Sequence, residues 1–409
     1  SRVHTAVKID QHLSNDQAVH VLDASRSVTV VEKLLGDHKS SFVADIQKEY
    51  EQVREMHEKK KGKKVLIPIE EARKNKVQID WSNHVVLEPD LKGIKVIENQ
   101  DLSKLVPFID WTPFFQTWEL HGRYPNILTD EVVGTEATKL FEDAQVMLEK
   151  IIKENWLTAN ATLGIFPANT IEDDSIEVFN PENNDEVIAK LHHLRPQTKK
   201  AKSQPNFSLA DFIAPRESGK QDYIGAFVVT AGLNMEARVK AFEKDHDDYN
   251  AILLKSLADR LAEAFAEFLH KEVRTKFWGY SKNESLDNED LIKEKYQGIR
   301  PAPGYPACPD HTEKPALFEL LEATKSTGVS LTESQAMLPA ASVSGWYFSH
   351  PQSKYFGVGR INLDQVHDVA ERKGMTNEKM ERWLSPVIND WIFIDVFISP
   401  SSIANASPS

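Results

Sequence analysis

The stretch Ile224-Gly225-Ala226-Phe227-Val228-Val229-Thr230-Ala231 is a strong candidate for a buried strand, and its surroundings decide the fold class. Apolar, β-branched and aromatic residues in a run of this length are typical of a strand. The region from Asp248 to Lys276 then predicts a long helix, because Leu253, Leu257 and Leu261 recur at helical spacing. We therefore expect helices packed on a sheet.

The same mixture of elements extends to both sides of this stretch. Glu136 to Lys153 predicts a helix, and Ala161 to Pro167 predicts another apolar strand. Pro107 to Trp118 has an irregular or strand-like pattern. Val343 to Ser349 and Lys354 to Ile361 predict a hairpin, and helices follow from about residues 363 and 376. Because no regular βαβ repeat appears, the prediction is an α+β fold with an antiparallel sheet and surrounding helices.

The N-terminal part has a different pattern. Val3 to Ile9 and Ala18 to Leu22 are strand-like, and Ser25 to Leu35 predicts a helix. Strand, strand and helix form an incomplete α/β layer, because a sheet of this kind needs both faces covered. Phe42 to Lys60 predicts a charged helix that runs into the basic segment Lys59–Lys64. That segment is interpreted as a solvated linker, with a docking patch for an acidic protein as the alternative.

Composition excludes several classes of protein. The chain has 409 residues and a net charge of −13, which disfavours binding to nucleic acid because phosphate contacts need a basic face. Cys308 is the single cysteine, so an internal disulfide and a cysteine-rich zinc site are excluded. No apolar run reaches the roughly 20 residues that span a bilayer. These features indicate a soluble protein of a reducing compartment, and we expect it in the cytoplasm.

Four prolines lie within Arg300-Pro301-Ala302-Pro303-Gly304-Tyr305-Pro306-Ala307-Cys308-Pro309, which we call the proline segment. Proline fixes φ and restricts the preceding residue, so the segment can be neither a helix nor a central strand. We expect a stiff, extended stretch suited to gripping a small ligand, with Cys308 packed as a small hydrophobe. A rigid surface loop between two helices is the alternative.

Self-contained catalysis is not indicated. The motifs G-x-S-x-G, H-E-x-x-H, G-x-G-x-x-G and the P-loop are absent. Asp245-His246-Asp247-Asp248 is better explained as an acidic helix N-terminus than as a metal site. His192 and His193 would point to opposite sides of a strand. We therefore predict a binding module with no catalytic and no metal-ligating residues of its own.

Several blocks of sequence resemble the activation domain of cobalamin-dependent methionine synthase. They occur in the order of that family and span most of the chain. The blocks are RPAPGYPACPDHTEK at 300–314, Ile109–Phe115, Asp211–Pro215, Ala258–Glu267, Ser344–His350 and Ser353–Phe356. The resemblance implies that the chain binds S-adenosylmethionine.

The resemblance also implies which residues bind this ligand. Arg300 matches the arginine that binds the ligand carboxylate, and Asp110 matches the acid that meets the ammonium group. Tyr355 and Phe356 match a further contact pair on the second hairpin strand, where alternation puts one of the two rings on the ligand side. The backbone of Ala302 would line the ligand groove. From the residues alone, Asp110 is a turn or cap residue before Trp111.

Glu263 is a further candidate of the same kind. By family position it faces the ligand groove. From the residues alone it is a solvated glutamate on a polar helix face, with Ser256, Asp259 and Glu267.

Cobalamin is the second cofactor that the resemblance implies. Residues 1–45 resemble the end of the family's Rossmann-like cobalamin-binding domain, where the loop with Ala24 would lie near the corrin. Tyr305 would pack on the corrin between the two cofactors, with a buried core position as the alternative. The cobalt-ligating histidine, the zinc-bound homocysteine module and the folate barrel would lie upstream of Ser1, so we expect a piece of a longer polypeptide.

Four regions follow from this comparison. Residues 1–45 would close the cobalamin domain, 46–64 would be a helix and basic linker, and 65–390 would form the activation domain. Residues 391–409 depart from the family pattern with an apolar run and a Ser/Pro/Ala tail. This tail is interpreted as an added edge strand or as translation of an altered end of the coding sequence.

The implied function is reductive reactivation of a methyltransferase that converts homocysteine to methionine. S-adenosylmethionine would donate a methyl group to cobalt, and a flavoprotein of the flavodoxin or methionine synthase reductase type would supply the electron. The other partners would be the upstream modules of the same polypeptide, with no nucleic acid and no membrane. The alternatives are a stand-alone reactivase for another corrinoid protein and a non-catalytic interaction module.

Overall fold

A computed structural model describes residues 2–10, 13, 18–21, 24–36, 39–61, 65–201 and 203–389. The chain separates into two compact units on either side of the bond between Leu66 and Ile67.

The N-terminal unit is helical throughout its described secondary structure. Its helices are α1 (Arg2–His4), which continues as a π-helical stretch over Thr5–Ile9, α2 (Ala24–Leu35) and α3 (Lys39–Lys61). The centre of the unit is Tyr50 on α3, which is buried and accepts a hydrogen bond from the amide of His20 at 2.9 Å. Arg54, one turn later, donates to the carbonyl of Ala6 at 3.0 Å.

The predictions for this unit have mixed outcomes. The helices expected over 25–35 and 42–60 are confirmed. The strand expected over Val3–Ile9 is wrong, because these residues are helical. A strand needs a neighbour for its N–H and C=O groups, whereas a helix satisfies them within the segment. Residues 18–21 lie outside any helix or strand, and Leu22 lies outside the described residues.

The expected division between residues 45 and 46 falls inside helix α3. In the basic segment, Lys59–Lys61 end that helix, and residues 62–64 lie outside the described residues. The tail at 391–409 lies outside them as well, so its two interpretations stay predictions.

The second unit is organised around an antiparallel sheet of six strands. The strands are β1 (Gly93–Ile97), β2 (Thr158–Ile171), β3 (Ser175–Asn180), β4 (Asn183–His192), β5 (Asp222–Leu233) and β8 (Ser342–Tyr347). The strand order is β4-β3-β2-β5-β8, and β1 pairs with residues 161–165 of β2 while β3 pairs with residues 168–171. Two short strands, β6 (Ser330–Leu331) and β7 (Met337–Leu338), pair with each other.

Ten helices accompany this sheet in the described part of the second unit. They are α4 (Ile69–Lys74), α5 (Thr112–Thr117), α6 (Gly134–Lys153), α7 (Met235–Lys244), α8 (Asp248–Glu272), α9 (Asn288–Ile292), α10 (Lys314–Leu320), α11 (Ala323–Thr327), α12 (Leu363–Lys373) and α13 (Asn377–Leu384). Helix α8 continues as a π-helical turn over Val273–Phe277. The α+β prediction is therefore confirmed.

The two central strands explain why their sequence is continuously apolar. Successive residues of a strand point to opposite faces. Leu163 and Phe227 enter a core shared with α6 and α8, whereas Phe166 and Ala226 enter a second core shared with α10 and α11. Because both faces of the sheet are covered, neither strand alternates between apolar and polar residues.

Two local predictions are wrong in this unit. Residues 112–117 are helical, since Pro113 occupies the first turn of α5, where its missing N–H leaves no donor unsatisfied. The hairpin expected around residues 350–353 does not form. Lys354–Arg360 has no strand partner among the described residues. Its backbone is instead tied to the proline segment through the amide of Val358, which donates to the carbonyl of Pro306 at 2.8 Å.

The proline segment is more compact than expected. Its first residues run beside β8, where the amide of Trp346 donates to the carbonyl of Pro301 at 2.9 Å. Two successive turns follow, closed by Tyr305 N to Ala302 O at 3.1 Å and by Cys308 N to Tyr305 O at 2.9 Å. Because an extended segment would leave these groups unpaired, local hydrogen bonds fold it into turns.

Gly345 on β8 is where the proline segment approaches the sheet most closely. A Cβ atom at Gly345 would lie 2.7 Å from the carbonyl oxygen of Pro301. We expect Gly345→Ala to lower the free energy of unfolding by about 2 kcal/mol, because the added methyl group overpacks this contact. Urea unfolding followed by fluorescence measures the change. Gly357→Ala, whose Cβ would lie at an ordinary 3.9 Å from Pro306 Cβ, is the control. Equal stability of the two variants would contradict the prediction.

Candidate functional site

A cleft of about 370 Å³ opens beside the first residue of the proline segment. Helices α8 and α9 form two of its walls, and the residues before α5 form a third. Its lining residues are Phe108, Asp110, Pro113, Arg260, Glu263, Glu267, Asn288, Leu291, Ile292, Glu294, Tyr296 and Arg300. The cleft therefore brings together three of the residues expected to bind a ligand, namely Asp110, Glu263 and Arg300.

Arg300 is held by both its backbone and its side chain. Its neighbour Ile299 forms an antiparallel bridge with Phe348, with both hydrogen bonds at 3.0 Å. The amide of Arg300 donates to the hydroxyl of Tyr355 at 3.0 Å, and its Nη2 donates to Glu267 Oε2 at 2.8 Å. These contacts fix the position of a guanidinium group at the wall of the cleft.

The electrostatic surroundings keep this guanidinium charged. Burial alone would lower the pKa of Arg300, but nearby negative charges, chiefly that of Glu267, outweigh it and raise the pKa. Arginine has five N–H donors, and Arg300 Nε is buried without a hydrogen-bond partner in the described part of the chain. The group therefore retains donors for an anionic ligand group such as a carboxylate.

The lining of the cleft also supplies carboxylates. Asp110 is half-buried, and its Oδ1 accepts a hydrogen bond from the amide of Thr112 at 2.9 Å. It is thus a turn residue, as the local sequence suggested, and it also lines the cleft. Glu263 is half-buried on α8, and Glu294 adds a fourth carboxylate to the lining, alongside Glu267. Burial raises the pKa of Glu294.

Asn288 contributes a neutral polar group to the same cleft. Its Nδ2 donates to the carbonyl of Ile109 at 3.3 Å, which fixes the orientation of the amide. Its Oδ1 is buried and has no hydrogen-bond partner among the described residues. Buried polar atoms normally have a partner, so this acceptor fits a ligand that brings a donor, such as an ammonium group.

The other expected ligand residues lie near the cleft but outside its lining. Tyr355 reaches Arg300 from the segment after β8, whereas Phe356 packs in the second core with its ring centroid 5.9 Å from that of Phe207. The two side chains thus point apart, although the hairpin on which we expected them is absent. Ala302 is half-buried in the first turn of the proline segment. Their roles in ligand binding stay predictions.

The two residues assigned to cobalamin lie in different units. Tyr305 is 59% exposed, so the alternative of a buried core position is wrong. Partial burial raises the pKa of its hydroxyl, and the charge of Glu263 raises it further, which indicates that the ring is close to the cleft. Ala24 begins α2 in the N-terminal unit, and its side chain lies outside the described residues. Both assignments stay predictions.

Sequence reasoning missed the buried polar stripe on α8. We placed Ser256 and Glu267 on a solvated face, but both are buried, and Glu267 pairs with Arg300. One signal was available in the sequence: charged or titratable residues recur at spacings of three and four along the second half of this helix and just beyond its end. They are Arg260, Glu263, Glu267, His270 and Arg274. Residues at these spacings lie on one face of a helix, so the surface that packs against this face had to contain polar groups too.

The remaining candidates have structural positions. Cys308 is buried in the second core, as expected. Asp247 caps α8 by accepting from the amide of Asn250 at 3.1 Å. Within the described ranges, no three His, Cys, Asp or Glu side chains are grouped so as to hold a metal ion. No helix in that part of the chain has the length and apolar character needed to cross a membrane.

Comparisons with known proteins agree on one family. The family model described as "Vitamin B12 dependent methionine synthase, activation domain" matches residues 101–374. A crystal structure of the MetH reactivation domain bound to AdoHcy is 55% identical to this chain, with a TM-score of 0.77. The match covers 79% of this chain and 99% of that one. The chain therefore belongs to the family of vitamin B12-dependent methionine synthase activation domains.

Proposed function

We propose that the cleft binds the amino-acid end of S-adenosylmethionine and that the domain presents the ligand's methyl group for reactivation of methionine synthase. The observation that carries this proposal is the presence of both charge types in the lining of one cleft. Arg300 offers a guanidinium for a carboxylate, while Asp110 and Glu263 offer carboxylates for an ammonium group. The similar domain that binds AdoHcy supports a ligand of the same class.

The overall charge of the cleft supports a cationic ligand. Its lining contains four carboxylates, from Asp110, Glu263, Glu267 and Glu294, against two guanidinium groups, from Arg260 and Arg300. The amino-acid end of S-adenosylmethionine is a zwitterion, and its sulfonium centre adds a positive charge. A cleft with an excess of negative charge lowers the energy of such a cation, and more so where water is partly excluded.

The chain's own contribution is binding and orientation. Cobalamin, when bound, supplies the cobalt that accepts the methyl group. The exposed ring of Tyr305 is suited to packing against a flat macrocycle. Tyr305 directly follows Gly304 and is held in place by the turns of the proline segment. Gly304 adopts a φ of 97°, and a Cβ there would lie 2.4 Å from the His311 ring. The positive φ and the nearby His311 ring therefore favour glycine in the turn that precedes Tyr305.

The finer parts of the proposal concern partners outside this chain. We propose that a flavoprotein donates the electron, that the upstream cobalamin, folate and homocysteine modules belong to the same polypeptide, and that the protein works in the cytoplasm. The proposed regions remain 1–45, 46–64, 65–390 and 391–409. The electron-transfer step is tested by following the reduction of cobalamin by a purified flavodoxin. The cobalamin is bound to a separately prepared upstream cobalamin module, and this chain is either present or absent.

Calorimetric titration with S-adenosylmethionine tests the binding proposal. We expect saturable one-site binding by the wild-type chain. Arg300→Ala is expected to weaken binding by about tenfold to a hundredfold, since a charge-assisted hydrogen bond contributes about 1.5–3 kcal/mol. Arg216→Ala, which removes an arginine that is 62% exposed and pairs with Glu177, is the control and should bind normally.

Two outcomes would change the proposal. If a folded wild-type chain fails to bind, the ligand assignment is wrong and the non-catalytic interaction module becomes the better interpretation. If the chain binds the ligand and restores activity to an unrelated corrinoid protein in trans, the stand-alone reactivase is favoured.

A further inference from the structure

We infer that Glu267 is a positioning residue that aims the Arg300 guanidinium at the ligand carboxylate. This inference rests on the proposed function of the cleft. It assigns a role to a residue that the resemblance did not single out, and it explains why a carboxylate stands beside the arginine that is meant to bind another carboxylate.

The first step concerns the geometry of Arg300. Its side chain is 20% exposed and its Nη2 donates to Glu267 Oε2 at 2.8 Å. A long arginine side chain loses considerable rotamer entropy when it is immobilised. Because Glu267 holds one nitrogen of the planar group, the plane and direction of the guanidinium are set before any ligand arrives. A ligand then binds without the full entropic penalty of ordering this side chain.

Glu267 itself lies next to a second arginine, Arg274. The Glu267 side chain is 11% exposed, and its Oε1 lies 3.7 Å from Nη1 of the fully buried Arg274, a distance at which the two charges attract although neither atom makes a hydrogen bond within the described structure. Arg274 donates in turn to both oxygens of Glu284, from Nε at 2.7 Å and from Nη2 at 2.8 Å. A bidentate pair of this kind has a single geometry. Alternating charges therefore run from Glu284 through Arg274 and Glu267 to Arg300.

The backbone conformation after α8 brings Arg274 into this series of charges. Arg274 lies in the π-helical turn over Val273–Phe277 that follows α8. A π-helical turn changes the direction in which side chains leave the helix, and such turns are frequent at functional sites. The guanidinium carbon of Arg274 also lies 4.3 Å from the ring centroid of Tyr296, which lines the cleft. Arg274 is thus fixed from two sides.

The Arg300–Glu267 pair and the Arg274–Glu284 pair lie at the two ends of this series of charges. Loss of the first should affect ligand binding, whereas the second supports the fold. If the Glu267 charge is lost, the backbone amide of Arg300 still donates to Tyr355 Oη. The guanidinium group no longer has its carboxylate partner, so the side chain is free to adopt other rotamers. The fold would still be supported by the Arg274–Glu284 pair. The main expected consequence is therefore a loss of ligand binding that depends on the ligand carboxylate.

The test compares two ligands that differ in the amino-acid end. S-adenosylhomocysteine has the carboxylate, whereas its decarboxylated analogue, 5′-deoxy-5′-(3-aminopropylthio)adenosine, keeps the nucleoside, the thioether and the ammonium group without it. Dissociation constants are measured by calorimetry, with displacement titration for the weaker ligand. For Glu267→Gln we expect binding of S-adenosylhomocysteine to weaken about tenfold or more, as for a lost charge-assisted contact, and binding of the decarboxylated analogue to change less than about twofold.

Matched variants make the result specific. Glu272→Gln removes a carboxylate of the same helix that pairs with Lys276 at 2.8 Å, and it should leave both ligands unaffected. Glu267→Asp keeps the charge on a shorter side chain and should give an intermediate loss for S-adenosylhomocysteine. Glu267→Asp also serves as the test variant if Glu267→Gln does not fold.

Three results are distinguishable. Selective loss of S-adenosylhomocysteine binding supports the positioning role. Equal loss for both ligands, or no loss for either, overturns it, because Glu267 would then be structural or irrelevant to the carboxylate. Absence of binding by the wild-type chain to S-adenosylhomocysteine instead rejects the proposed function of the cleft.

Discussion

Replacing Arg195 by methionine is expected to lower the free energy of unfolding by about 4 kcal/mol. Arg195 is fully buried and pairs with Asp174 at 2.8 Å and with Asp211 at 2.7 Å. Methionine has a similar volume but leaves two buried carboxylates without this cation. Burial alone would raise the pKa of Asp174, but guanidinium groups led by Arg195 outweigh it and lower the pKa. The substitution removes the Arg195 part of that compensation, although Arg73 still pairs with Asp174 at 2.8 Å.

Arg216→Met is the matched control for this prediction. Arg216 pairs with Glu177 at a similar 2.8 Å, but its side chain is 62% exposed. Exposed ion pairs contribute about 0–1 kcal/mol, so the control should be close to wild type. Urea unfolding is followed by tryptophan fluorescence, because all eight tryptophans lie after residue 80, in the second unit or the tail. Equal loss of stability in both variants would contradict the role of burial.

Acidification is expected to destabilise the second unit, and His193 should be a main cause. His193 is buried, and both of its ring nitrogens lack a hydrogen-bond partner in the described structure. Burial, reinforced by the neighbouring His192 and by cationic side chains, lowers its pKa from 6.5 to about 3. The unfolded state therefore binds a proton below pH 6.5 that the folded state excludes down to about pH 3. Stability is lost as the pH falls through this window.

The size of the effect follows from this single proton. Each pH unit below 6.5 removes about 1.4 kcal/mol of stability per excluded proton. We expect His193→Phe to reduce the slope of unfolding free energy against pH by about this amount between pH 6 and pH 4. Phenylalanine matches the ring and can retain the edge contact with Phe348, whose centroid lies 6.2 Å away.

The control for the pH experiment is His121→Phe, since His121 is exposed. Unfolding curves at several pH values should give the same slope for this variant as for wild type. His192 and His350, whose pKa values are each lowered to about 4, chiefly by burial, remain in both variants. Some acid sensitivity is therefore expected in every variant. An unchanged slope in His193→Phe would show that His193 is protonated without loss of the fold.

Elements with strong local signals were predicted well from the sequence. The helices over 134–153 and 248–272 and the strands over 158–171 and 222–233 all occur where apolar periodicity or apolar runs indicated them. Two of the failures share one physical cause. Val3–Ile9 and Lys354–Ile361 have strand-like composition, but no neighbouring strand pairs with them in the described structure, and composition alone does not supply one.

Composition, motif order and local pattern determined the α+β class, the absence of disulfides and the family resemblance, because these properties belong to the sequence itself. The family resemblance in turn marked Arg300, Asp110 and Glu263 as candidates. Only the tertiary structure brought these three residues to one cleft, because Asp110 is more than a hundred positions away from the other two in the sequence. They meet where α8 packs beside the proline segment. The tertiary structure also decided that Glu267 is buried against Arg300, because the burial of one charge depends on where its partner lies in space.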